Sequence, residues 1–203
     1  KNLGPYLKRA NLFKVNFSNF DFKNIDLRES YLLGANLSDA DRTEALIEGA
    51  DMRFINAPRV NMSGLILDDV NLLGANLASA KFKDADLRFA DFFGASAPSA
   101  DFSGANLNNA SLSGMDLTGA DFDGANLPGV SFENSNLSNA KLRYADLRGG
   151  GFVGWDPQES TTCVENIDLT GANLSGLDLS YLVFDGADLQ DAVLDDCDLE
   201  NTK

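Results

Sequence analysis

Apolar residues recur at every fifth position along almost the whole chain. Starting from Leu12, every fifth residue through Phe152 is a centre of the pattern, and after an interruption the frame resumes two residues out of phase at Leu169 and runs to Leu199. Leu or Phe fills 30 of these 36 centres. Ala stands two before the centre in 20 of 36 units, Asp or Asn just before it in 25, and Gly two after it in 15. The stretch "ADFSG ANLNN ASLSG MDLTG ADFDG ANLPG" from Ala100 shows the unit undiluted. A repeat this dense decides the architecture before any local propensity does.

A period of five fits neither the helix, at 3.6, nor the simple strand, at 2. It fits a chain that turns a corner every five residues. Each side is then a short extended piece whose centre and second-preceding residue point inward, while the other three face out. Large centres alternating with Ala fill a narrow interior. Gly falls where a corner requires positive φ, and Asp and Asn, whose short side chains bond nearby backbone, suit the turns. Four sides make a coil of 20 residues, and coils stack through parallel backbone hydrogen bonds about 4.8 Å apart. About nine coils give a rod about 43 Å long, in which each unit buries its apolar face only against its neighbours.

The units "ADLRF", "ANLNN" and "ADFDG" carry the consensus A(D/N)LXX, and over residues 10–201, the interruption excepted, the chain resembles the pentapeptide-repeat proteins. That resemblance implies an all-β fold, a right-handed quadrilateral parallel β-helix. Its functional implications are less uniform. Some members bind DNA gyrase or topoisomerase by mimicking duplex DNA. Many occur in cyanobacteria and in the plant thylakoid lumen, and others are modules of bacterial effectors or regulators. Fold alone does not choose among these.

The frame sets the organisation: an N-terminal flank at 1–9, β-helix at 10–154, an inserted loop at 155–166, the same β-helix continued at 167–201, and a tail at 202–203. Three departures stand out. Arg42 occupies a centre in "ADRTE", and a guanidinium inside a dry coil is costly; it either bulges out or is paired inside. Ala57 and Ala97 are small centres, each followed by proline, and because proline cannot donate to a ladder looser pairing is expected there. The loop "WDPQESTTCVEN" holds the only Trp; Trp155, Asp156 and Glu159 are its candidate site residues, since loops on rigid scaffolds often carry function. A neutral insertion is the alternative.

Cys163 lies in that loop and Cys197 at an inward position where Ala is usual. One reading joins them in a disulfide pinning the loop to the rod, which points to an oxidising compartment such as thylakoid lumen or periplasm. The other leaves Cys197 as a small buried apolar residue and a cytoplasmic location open. The first residue is Lys1 rather than Met, as in a processed, trimmed or fragmentary chain.

Composition narrows the chemistry. With no His among 203 residues, the commonest general base and metal ligand is missing. No Walker loop occurs, and "GGGFVG" mimics a dinucleotide fingerprint without the helix that motif needs. Neither catalysis nor a cofactor is expected. The net charge of −15 argues against direct binding of nucleic acid, and no apolar run is long enough to insert in a membrane. Yet 14 of the 31 acidic residues are turn-position Asp, so the charge alone is weak support for a DNA mimic.

Residues twenty apart stack on one face. The position after the centre, nominally in solvent, reads Phe13, Leu33, Arg53, Leu73, Phe93, Ser113, Glu133, Val153, with Phe54 beside Arg53. On the next face the same position holds Ser18, Ser38, Pro58, Ala78, Pro98, Thr118 and Ser138. A contiguous exposed apolar patch marks an interface, so Phe13, Leu33, Phe54, Leu73 and Phe93 form the candidate interface; the alternatives are that an N-terminal segment or part of a larger chain packs there, or that the stripe is scatter among the 36 repeats. The expected function is a rigid, non-catalytic scaffold, monomer or weak dimer, that binds an unidentified protein partner. An acidic mimic binding a topoisomerase is the alternative, and a small-molecule site under the loop is a third reading.

Overall fold

The computed structural model describes residues 7–40, 45–152 and 160–203, where the chain forms a stack of coils joined by parallel bridges between residues twenty apart. Four columns of bridges run along it. The first passes through Asn11, Tyr31, Asp51, Asn71, Asp91 and Ser111 to Gly151, and the second from Asn16 through Asn36, Asn56 and Asn76 to Asn136. The third runs from Asn61 to Lys141, and the fourth includes Asp26–Leu46 and Ile66 through Asp146. Every bridging residue is the one just before a centre, so the register never slips.

Each corner is built the same way. The centre's N–H donates to the bridging carbonyl one coil on, as from Leu72 to Asp91 O at 2.7 Å. The third residue after the centre closes the turn by donating back to the centre's carbonyl, as from Ala75 to Leu72 O at 3.0 Å. Between them, the second residue after the centre has φ between 51° and 75° at every described corner. That is the positive φ a type II turn requires, and it explains the Gly, Asn and Asp found there. The Asp or Asn before the centre accepts from the N–H two residues on, as Asn11 Oδ1 does from Phe13 at 3.2 Å.

This pattern corrects the expectation for the prolines. The position after the centre, where Pro58 and Pro98 stand, spends its N–H on the Asp/Asn side chain rather than on the ladder. Pairing through both sites is intact: Ala57 donates to Asn76 O and Ala97 to Asp116 O at 2.8 Å, and Pro58 O and Pro98 O accept from Asp39 and Ser79 at 2.9 Å. Proline at the second position of a type II turn is in fact favoured.

Centres and second-preceding residues fill the interior. Phe82, Phe102 and Phe122 stack with centroids 5.0 and 4.8 Å apart and planes within 4°, so the ring spacing is the coil spacing. Phe92 meets Phe82 and Phe102 edge-on at 5.9 Å. The small centre Ala97, which falls between Phe92 and Phe102 in the chain, is fully buried.

Across the interruption the pairing interval becomes 27: Asn136 bridges to Cys163, Lys141 to Asp168 and Asp146 to Asn173. The ladder therefore resumes at Cys163, one unit earlier than the sequence pattern indicates, with Val164 as a buried centre. Thr162 points inward, its Oγ1 2.5 Å from Phe152 O. The rod thus takes up the end of the segment predicted as a loop. Trp155, Asp156 and Glu159, like Arg42, lie outside the described residues.

The 163–197 disulfide is also corrected, since both cysteines are free. Cys163 Sγ lies 3.0 Å from Ser138 Oγ, and Cys197 Sγ donates to Leu174 O at 3.0 Å. The bridging pattern puts them about 1.7 coils apart, about 8 Å along the axis, which is beyond the reach of an S–S bond.

Two measurements test this account of the coil. Ser30 and Ser135 both occupy buried inward positions where Ala is usual. Ser135 Oγ donates to Leu112 O at 2.6 Å, whereas Ser30 Oγ has no partner. Ser30→Ala should raise unfolding stability by about 1 kcal/mol and Ser135→Ala lower it by about as much, read by urea denaturation. The second concerns Asp–Arg brackets around four corners. Arg28, Arg53, Arg88 and Arg148 each grip the Asp two residues before them, Asp26, Asp51, Asp86 and Asp146, through two hydrogen bonds. Hydrogen bonding from Arg28 holds Asp26 at about 2, and the same bond lowers the other three. These carboxylates have folded pKa values below their unfolded ones. They stabilise the rod above about pH 4, and the contribution disappears as pH falls through the folded values. Changing the four arginines to Gln should therefore flatten the stability loss between pH 4 and pH 2.

Candidate interaction surface

The predicted column exists as a continuous strip. Lys14 N–H donates to Leu33 O, Gly34 to Arg53 O, Phe54 to Leu73 O and Gly74 to Phe93 O, at 2.8–3.0 Å. Each bond links one level of the column to the next, so Phe13, Leu33, Arg53, Leu73 and Phe93 sit one above another at the coil spacing. Phe13, Phe54 and Phe93 are 47%, 57% and 56% exposed, while Leu33 and Leu73 are half-buried between them. No folding requirement explains three half-exposed phenylalanines on one strip.

Phe54 belongs to the strip because of its corner. Its φ of 53° swings the ring onto the next coil, where a Cβ on Gly74 would lie 2.5 Å from it. Gly74 is thus needed both for its own positive φ and for this close approach. Arg53 is held back by Asp51 through contacts of 2.8 and 2.7 Å, which raise the Arg53 pKa and lower that of Asp51. It brings its own counter-charge to the strip.

Two members escaped the sequence pattern. Tyr31 lies stacked on Phe13, 25° from parallel with centroids 6.2 Å apart, and Lys14 Nζ is 5.0 Å from the Phe13 centroid. An aromatic residue at a position otherwise given to Asp or Asn was the available signal. Alongside runs an amide ladder: Asn36 donates to Asn16 Oδ1, Asn56 to Asn36 and Asn76 to Asn56, at 3.1, 3.3 and 2.8 Å. With small side chains at 18, 38, 58, 78 and 98 beside it, that face is a flat polar shelf against the apolar strip.

A second apolar spot lies on the fourth column, where Leu46 and Ile66 replace Asp/Asn and, with Ala45, Glu48, Gly64 and Leu65, line a hollow of about 180 Å³. Sequence reasoning missed it by following only the position after the centre. The last described coil leaves Phe184, Leu189, Leu194 and Leu199 lining a hollow of about 370 Å³. Among the described residues no group of His, Cys, Asp or Glu is arranged to hold a metal ion, and no helix is long and apolar enough to cross a membrane.

Charge is divided unevenly along the rod. Residues 1–100 carry twelve basic and thirteen acidic side chains, net −1, whereas residues 101–203 carry four and eighteen, net −14. The apolar strip lies wholly in the near-neutral half.

Comparison with known proteins places this architecture. A family model of pentapeptide repeats matches residues 6–41, 45–84, 59–92, 85–124, 116–150 and 167–203. Among similar solved structures is HetL, a pentapeptide repeat protein involved in heterocyst differentiation regulation in the cyanobacterium Nostoc sp. strain PCC 7120. It is 26% identical over 96% of this chain and 91% of that one, with a TM-score of 0.34. A trypsin-treated variant of QnrB1, a plasmid-mediated fluoroquinolone resistance protein, is 20% identical over 94% and 87%, with a TM-score of 0.39. A pentapeptide repeat protein of the Arabidopsis thaliana thylakoid lumen is 28% identical over 59% and 68%, with a TM-score of 0.27. No curated protein is significantly similar in sequence. With eight matching repeat blocks over most of its length and a twenty-residue parallel ladder to carry them, the chain belongs to the pentapeptide repeat family.

Proposed function

We propose that this chain is a rigid, non-catalytic scaffold, a right-handed quadrilateral β-helix of about nine coils, that binds another protein through the Phe13–Phe93 strip. The carrying observation is the strip itself: three half-exposed phenylalanines and two half-buried leucines on successive levels, with Arg53 at the middle level neutralised by Asp51. Exposed apolar side chains gathered into one contiguous patch mark a recognition surface. Aromatic anchors of this kind carry most of the energy in protein interfaces. The backbone ladder leaves the surface rigid, so little ordering entropy opposes binding. The segment around Trp155, Asp156 and Glu159 is a second contact site on this reading.

One observation favours the second reading, an acidic mimic that binds a gyrase or topoisomerase. The net charge of −14 over residues 101–203 gives the C-terminal half a concentrated negative field suited to a basic partner.

Leu33→Ser, Leu73→Ser and Phe93→Ser together should weaken partner capture at least tenfold, about 1.4 kcal/mol or more, while circular dichroism and the ladder-dependent melting transition stay close to wild type. A collapsed melting transition would show the three to be structural and sink the interface. In a DNA gyrase supercoiling assay, the scaffold reading expects no inhibition at stoichiometric protein; inhibition there would establish the mimic instead.

A further inference from the structure

We propose that the partner seated on this strip is a second copy of the chain, docked antiparallel across a two-fold axis close to Arg53; the inference rests on the protein-binding reading of the same strip.

Charge selects the occupant. Two molecules of net charge −15 repel when brought together at random, yet the strip occupies the half whose net charge is −1. On its own face, the outward positions from Asn11 to Gly94 hold Lys14, Asp51, Arg53 and Asp91, two of each sign. On the neighbouring shelf from Asn16 to Ser99, the charges are Asp39 and Arg59, joined to each other at 2.5 Å. A second copy can approach this corner without a charge penalty, as it cannot along residues 101–203.

The same asymmetry selects the direction. In parallel docking the two acidic halves, each −14, would lie side by side. An antiparallel arrangement centred near Arg53 overlaps only the first five coils and sends the acidic halves to opposite ends. Like charge kept apart in this way gives orientation as well as permission.

The side chains then match level by level. Reversal about Arg53 sets Phe13 against Phe93 of the other copy and Leu33 against Leu73, so four levels meet apolar to apolar. At the axis each Arg53 arrives already bonded to Asp51 at 2.8 and 2.7 Å, and Phe54, folded over Gly74, fills the adjoining space. At the axis no charge is buried without its partner, the condition under which a buried ion costs most, and at the two ends the reversal brings Lys14 of one copy to the level of Asp91 of the other. The contact is about 24 Å long, five coils at about 4.8 Å each. That is at the small end for protein interfaces, so a weak dimer follows, with a Kd of order 10–100 µM.

Sedimentation velocity on the full chain up to about 0.5 mM reads the affinity. A monomer–dimer equilibrium is expected for wild type. It should be lost in the Leu33→Ser/Leu73→Ser/Phe93→Ser variant and also in Arg53→Glu, an exposed change that leaves the core untouched and sets four carboxylates around the axis. Direction is read by spin labels on Ser113→Cys in a Cys163→Ser/Cys197→Ser background. Three coils on each side of the axis predict an inter-copy separation of about 29 Å. A distance under about 15 Å would mean parallel docking and overturn the proposal. Dimerisation that persists in both strip variants would place the contact elsewhere, for example at the coil ending in Leu199, and would also overturn it. If wild type stays monomeric while the triple variant loses a cross-linked foreign protein, this inference falls and the scaffold reading stands. Should the triple variant keep both self-association and foreign partner, both readings fall.

Discussion

The left-handed corner is the constraint on which the rest of the molecule depends. At each described corner the second residue after the centre takes φ near 60°, and along most of the stack its N–H still donates across to the next coil. The chain can therefore change direction every five residues without interrupting the ladder. An ordinary strand that turned so often would leave backbone donors and acceptors without partners, and these are costly once buried. Because the ladder is backbone alone, the fold asks for only two inward side chains in five and for a tolerant residue at the corner. The remaining positions are free of structural demand, which is why a functional surface can be written on them.

How much of this was legible in the sequence depends on which atoms decide the matter. The centres, the Ala positions and the corner glycines follow from side-chain size and φ preference, and the five-residue spacing exposes them directly. The strip was legible too, because residues twenty apart in the sequence are one coil apart in the structure. Pro58 and Pro98 were misread because sequence does not say which N–H groups enter the ladder; the one that proline lacks is spent on a side chain. Cys163 was taken for loop because "TTCVEN" offers neither Ala nor Asp at the expected places, although Thr162 and Val164 fill the inward sites. The disulfide failed on distance, since more than one and a half coils separate sulfurs that a linear reading brings within reach. Tyr31 and Lys14 joined the surface through contacts that only the stacked coils create.

The acidic residues divide along the same line. Asp26, Asp51, Asp86 and Asp146 are turn acceptors first, and their arginines neutralise them locally. Their charge belongs to the corner and not to any partner. The excess in residues 101–203 is different in kind: Glu133, Asp185, Asp195 and Glu200 stand outside both the position that accepts the turn hydrogen bond and the positive-φ corner position. The fold does not call for them.

A solenoid permits such a division because each coil touches only its neighbours. Surface chemistry can change from one half to the other with no consequence for the core, so an uneven surface carries information that an uneven core would not. The level that follows Phe93 in the strip holds Ser113, and its coil bonds through the same ladder as those before it, with Gly94 donating to Ser113 O at 3.0 Å. Serine therefore suffices for folding at this position. The phenylalanines and leucines on the five preceding levels gain nothing from the ladder by being apolar, and each phenylalanine leaves about half its area in water. Their cost is repaid only when something covers them, and near-neutral surroundings in a chain of net charge −15 restrict what can.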